Sequence, residues 1–280
     1  MSNMRKMSSP SIVPPAQLSQ TQGQQLLETK RLSYAERSQH IAHPLASKIL
    51  RLMARKKTNL ALSLDLPQKE LWLDLAEKIG PHICMLKTHV DVLEEYDPSI
   101  GLKLAEIAQR HEFVILEDRK LSESGQTLLH QYHGGPYKIS SWAELVSVHA
   151  MASLETFDTL SGNLKGVDER GVFLSDDTPA KSSFFDTLLQ EKLAETACQN
   201  VGFIVGFITR KRLMNSHLIS MYPETTLESS SVHSHPDFVF SQLQSDIMLA
   251  GPSIYSSENP LYLAQTFREL AWDAYERSLF

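Results

Sequence analysis

Short apolar runs alternate with amphipathic stretches along most of the chain. Runs of strand length lie at 60–66, 82–87, 113–117, 145–149, 172–174, 202–207, 218–221 and 246–251. Between several of them, at 69–78, 100–111, 183–197 and 260–279, apolar residues recur three and four apart, the period of a helix with one buried face. An opening helix over 34–57 precedes the first strand and closes in Arg55-Lys56-Lys57, basic as helix C-termini favour. Strands alternating with helices imply right-handed βαβ units and a parallel sheet. Eight such strands predict a closed α/β architecture, a (β/α)8 TIM barrel with an extra N-terminal helix. An open doubly wound sheet would favour a glycine-rich turn after its first strand, and this one runs instead into Asp65-Leu66-Pro67-Gln68.

Residues 1–30 break the pattern. They are rich in Ser, Gln and Pro and poor in aromatics, which predicts a mobile tail ahead of a single barrel domain over 31–280. The chain has 280 residues, 27 basic and 33 acidic, for a net charge of −6, which argues against nucleic acid or an anionic membrane as partner. Its longest apolar run, 201–208, falls far short of the about 20 residues that span a bilayer. Two cysteines, Cys84 and Cys198, exclude a disulfide-dense scaffold and a multi-cysteine zinc module. With no apolar signal segment near the start, the expected location is cytoplasmic.

Candidate chemistry sits at the strand ends, because a barrel brings the C-terminal ends of its strands to one mouth. Those ends carry Asp65, Lys87, Asp118 with Lys120, His149, Asp176 with Asp177, Glu224 and then Gly251. Charges there are costly unless paired, so the first four could form an alternating network, either as a purely structural cap or as a site. Asp118 and Lys120 are two apart and point to the same side of an extended strand. A lysine held among carboxylates stays protonated and is a positioned general acid, suited to protonating a carbanion. Other features read more plainly. His89 and His149 are rim histidines, and Cys84 is a small core hydrophobe. His233 and His235 lack a third ligand, and the basic runs at 55–57 and 210–212 are solvated ends.

The tracts KKTNLALSLDL (56–66), GPHICMLKTHVDVL (80–93), HEFVILEDRK (111–120), QYHGG (131–135) and ISSWAEL (139–145) resemble the eukaryotic orotidine 5'-monophosphate decarboxylase family, its fungal members most. The resemblance implies a (β/α)8 barrel, a small-molecule substrate, a homodimer with sites at the subunit interface, and neither metal nor organic cofactor. It implies that Asp65 and Lys87 bind ribose hydroxyls. The family signature D-x-K-x-x-D-I-G-x-T aligns with residues 118–127, so Asp118 and the proton-donating Lys120 are kept, Glu123 replaces the aspartate supplied by the partner subunit, and Thr127 is retained. Ser63, His149, Asp177 and Pro223 complete the expected substrate-binding set.

Departures cluster where the family holds phosphate. The seventh strand leads into Tyr222-Pro223-Glu224-Thr225 instead of T-P-G-V and a glycine-rich loop, and the last strand ends Gly251-Pro252-Ser253 instead of G-R-G. Pro252 offers neither guanidinium nor N–H, and Glu224 would repel a dianion. The leading expectation is therefore a repurposed enzyme acting on a non-phosphorylated small molecule, by decarboxylation, proton-transfer isomerisation or cyclisation, in specialised metabolism. The alternatives are a weak genuine orotidine 5'-monophosphate decarboxylase of pyrimidine synthesis and a non-catalytic scaffold. Arg210 or Lys211 could replace the lost phosphate grip.

Overall fold

A computed structural model describes residues 31–163, 170–176, 195–196, 202–210, 218–225, 227 and 234–280. The tail over 1–30, most of the helix expected over 183–197, Asp177, Cys198, Lys211 and His233 lie outside the described residues.

Eight parallel strands close a barrel in chain order: β1 (Leu60–Leu64), β2 (Met85–Thr88), β3 (Val114–Leu121), β4 (Leu145–His149), β5 (Gly171–Asp176), β6 (Ile204–Thr209), β7 (Ile219–Tyr222) and β8 (Ile247–Ala250). Ala61 opposite Leu249 closes the ring between the first strand and the last. All five residues of β1 are buried, one face by the barrel interior and the other by the surrounding helices. The second strand starts later than its apolar run because Gly80–His82 turns as a 3-10 segment around Pro81.

The opening segment is two helices, α1 (Tyr34–His40) and α2 (Pro44–Lys56), where the sequence predicts one. Pro44 cannot donate to an earlier turn and pushes His43 out of helical geometry, so the chain breaks there and restarts with proline in the first turn. A reciprocal capping box between Ser33 and Glu36 starts α1. From α1, Tyr34 stacks on Tyr275 at 3.9 Å, and Arg37 pairs with the buried Asp246 just ahead of β8. Arg37 also donates to the Leu218 carbonyl ahead of β7, so α1 closes the N-terminal end of the barrel.

Outside the strands run α3 (Lys69–Ile79), α4 (Ile100–His111), α5 (Gly125–Tyr132), α6 (Leu154–Asn163), α7 (Pro252–Tyr255) and α8 (Pro260–Arg277). Neither α5 nor α6 is evident in the periodicity, since α5 buries only Leu128 and Tyr132. Lys56 is not a solvated helix end. Its Nζ reaches the carbonyls of Gly80, Ile83, His111 and Glu112 at 2.7–3.0 Å, tying the ends of α3 and α4 together. In β6, a Cβ on Gly206 would stand 2.1 Å from the Ile219 carbonyl oxygen and 2.7 Å from the Phe173 ring, so only glycine lets these layers meet. Among the described residues no helix is long and apolar enough to cross a membrane.

Candidate active site

A cavity of about 720 Å³ opens at the C-terminal ends of the strands. On one wall, at the ends of β1, β2 and β3, five ionisable side chains meet. Lys87 Nζ lies 3.2 Å from Asp118 Oδ2 and 3.9 Å from Asp65 Oδ1, and Lys120 Nζ is 3.6 Å from Asp118 Oδ2. The fifth is His89, which sequence reading places as a rim histidine. Its Nδ1 bonds Asp65 at 2.5 Å and its Nε2 meets Asp118 at 3.2 Å, so one ring bridges both carboxylates.

Hydroxyls complete the network. Ser63 donates to Asp65 at 2.7 Å, and Ser147 on β4 donates to Asp118 at 2.5 Å while accepting the Lys120 N–H at 2.8 Å. Burial alone would raise the Asp118 carboxyl, but His89, Lys87, Lys120 and Ser147 outweigh it and hold that carboxyl well below the usual range. Asp65 is treated likewise: desolvation is overcome by His89, Lys87 and Ser63, bringing it to about 2. For His89 desolvation favours the neutral ring, yet Asp118 and Asp65 raise it to about 9. Among the described residues, and counting His89 as a cation, the cavity lining carries four positive groups, with Lys87, Lys120 and Arg210, against Asp65, Asp118 and Glu224. In a chain of net charge −6 these described lining residues are thus net positive, which favours an anionic ligand.

Asp118 and Lys120 share the mouth for a different reason from simple alternation. The β3–β4 register shifts between Glu117 and Leu121, and Lys120 takes a left-handed backbone, φ 48°. The bulge re-aims the lysine, as bulges beside functional sites do. Glu117, on the other face of β3, is fully buried; desolvation raises it to about 7 while it accepts from Thr88 Oγ1 and the Val90 N–H, anchoring the segment that carries His89.

The expected residues divide. Ser63, Asp65, Lys87, Asp118, Lys120 and Pro223 line the cavity. His149 does not: its Nδ1 accepts the Met151 N–H, which turns the ring toward its own loop. Glu123 is exposed on the β3–α5 loop and lines no part of the mouth. Thr127 lines a separate recess of about 290 Å³ with Arg119 and Tyr137. Asp177 lies outside the described residues. Sequence reading missed Ser147 and Ser175, both serines inside apolar strands; Ser175 is buried at the cavity wall, and its hydroxyl has no hydrogen-bond partner among the described residues. Cys84 is as expected a buried core thiol, pushed up to about 12 by burial.

Fold and site together define a (β/α)8 barrel with a lysine–carboxylate array at its C-terminal mouth. The profile described as "Orotidine 5'-phosphate decarboxylase / HUMPS family" matches residues 58–267, and the chain belongs to that family. It is 38% identical over 262 residues to the uridine 5'-monophosphate synthase of Bos taurus, covering 89% of this chain and 53% of that protein, so it spans about half of that relative's length. The orotidine 5'-phosphate decarboxylase of Schizosaccharomyces pombe is 33% identical, with 88% of this chain and 96% of that protein aligned. Among solved structures, orotidine 5'-monophosphate decarboxylase of Methanocaldococcus jannaschii superposes with a TM-score of 0.59 at 16% identity, over 76% of this chain and 98% of that one, a likeness of fold.

Proposed function

We propose that the protein decarboxylates orotidine 5'-phosphate. The observation that carries this reading is the array of Asp65, Lys87, Asp118 and Lys120 at one wall of the mouth. Relatives that align over nearly the whole chain bear the name of that activity, whereas the expected repurposing to a non-phosphorylated metabolite draws no support from them. One of the two alternatives drawn from sequence is therefore the one adopted.

In the proposed reaction the bond between the pyrimidine ring carbon and its carboxylate breaks, and carbon dioxide leaves. The electron pair stays on the ring carbon and takes a proton from Lys120 Nζ, whose amine is reprotonated by solvent. Asp118, held ionised by its neighbours, fixes the ammonium in place without reorganisation during the reaction. Asp65 and Lys87 take the ribose hydroxyls. Two copies associate so that Glu123 and Thr127, both exposed and off their own chain's mouth, reach the partner's site. The reading carries a cytoplasmic location.

The test is loss of substrate ultraviolet absorbance with purified protein. Lys120→Ala should lower turnover by about 10²–10⁴-fold. Its side chain is 35% exposed, so this variant disturbs stability less than one at the buried Lys87. Absence of turnover by wild type overturns the assignment, and equal turnover by the variant overturns the role of Lys120.

A further inference from the structure

We infer that Arg210 grips the phosphate of the substrate and that Glu224 is a counter-ion it gives up to do so. The inference rests on the decarboxylase reading and names the group that holds the far end of its substrate, where the sequence offers no arginine after the last strand.

A phosphate monoester is a dianion near neutral pH and needs a cation at the point where it docks. On the β1–β3 wall the cations are engaged: Lys87 and Lys120 lie on Asp118 at 3.2 and 3.6 Å, and His89 bridges two carboxylates. The opposite wall is built by the segments after β6, β7 and β8. Among the described residues, Arg210 is the cation lining that wall. It follows β6 directly, so its origin is set by a buried strand. The guanidinium lies 6.0 Å from the centroid of the Tyr222 ring, an aromatic face that steadies a planar cation.

The ion pair with Glu224 is displaceable. Glu224 Oε2 stands 3.4 Å from Arg210 Nη2, with the two side chains 75% and 40% exposed. Such a pair is weak and exchanges readily. A phosphate brings more charge and a geometry that two parallel guanidinium N–H groups match. Ser253 and Ser256 line the same wall and add hydroxyls beside it. Glu224, read from sequence as a group that repels phosphate, is in this arrangement an exposed partner of the guanidinium that yields when the phosphate arrives. The two functional ends of the cavity then match the two ends of a nucleotide carboxylate, with the buried Ser175 hydroxyl on the β5 wall between them.

The experiment pairs steady-state decarboxylation of orotidine 5'-phosphate with calorimetric binding of uridine 5'-monophosphate and of uridine. It uses wild type, Arg210→Ala, Arg210→Lys and Glu224→Gln, at a half-buried and an exposed rim position. Expected are a loss of about tenfold or more in kcat/KM for Arg210→Ala, a matching loss of uridine 5'-monophosphate affinity, and unchanged uridine binding. Arg210→Lys should fall between, and Glu224→Gln should tighten the phosphorylated ligand a few-fold. If wild type turns the substrate over and Arg210→Ala matches it in kcat/KM and in affinity, the grip is wrong and the reaction assignment stands. If wild type shows no turnover but binds uridine 5'-monophosphate in an Arg210-dependent way, the grip stands and the reaction assignment falls. Wild type that neither turns over nor prefers the phosphorylated ligand to uridine overturns both.

Discussion

Lys120 sits at φ 48°, in a left-handed region that costs a residue with a side chain roughly 1–2 kcal/mol. The Ser147 hydroxyl offsets part of that by accepting the Lys120 N–H and donating to Asp118. Ser147→Ala should therefore destabilise the fold by about 1–3 kcal/mol in urea titration and also lower turnover, because one hydroxyl holds both members of the pair proposed to deliver the proton. His89 supplies a pH dependence. As a base raised from 6.5 to about 9 in the folded protein, it contributes stability fully present below about 6.5 and lost as pH rises through 9. Glu117, an acid raised to about 7, also favours the fold at lower pH, but its contribution fades earlier, between about 4.5 and 7. Thermal unfolding should show Tm falling between pH 7 and 9.5, and His89→Gln should flatten that upper limb alone. A curve unchanged in the variant would refute the bridge. At this scale the four strand-end charges were legible because a charge closing an apolar run needs a reason. Ser147 and Ser175 were not, since a serine within a strand is compatible with either face and its role depends on which neighbouring strand it meets.

Elements were legible in proportion to the width of their apolar stripe. The eight strands and the helices α3, α4 and α8 read directly from periodicity, whereas α5, with two buried side chains, leaves too narrow a signature. The break between α1 and α2 was present in the sequence as Pro44, and its meaning follows from proline's fixed φ and missing N–H. Lys56 shows the opposite case. Nothing in Arg55-Lys56-Lys57 distinguishes the middle residue, and its four carbonyl partners come from segments 24 to 56 residues away. Lys56→Met should destabilise the protein by about 3 kcal/mol, since carbonyls at the ends of two helices lose a charged donor. Gly206→Ala should be more severe, beyond about 4 kcal/mol or without a folded product, because the new methyl meets backbone rather than a side chain that can turn away. Circular dichroism melts of both variants check the order.

For the whole molecule, the two ends of the barrel divide the work. The N-terminal end is closed by α1, where Arg37 and Asp246 form a buried pair, and the C-terminal end holds the ionic network of the mouth. The proposed dimer has a direct test: mixing Lys120→Ala with Glu123→Ala subunits should restore about one quarter of the wild-type sites, since a mixed pair assembles one intact site from two defective chains. Recovery no greater than the sum of the parents would place Glu123 outside the partner's site. By itself the sequence determined the barrel, because alternating buried strands and one-sided helices admit few closed packings, and it determined the charges at the strand ends. Only the tertiary structure decided which of those charges meet, that His89 joins them, that Lys120 is re-aimed by a bulge, and that Arg210 faces them across the mouth. Spacing along one chain sets which face a side chain takes; distances between strands far apart in sequence arise when the ring closes.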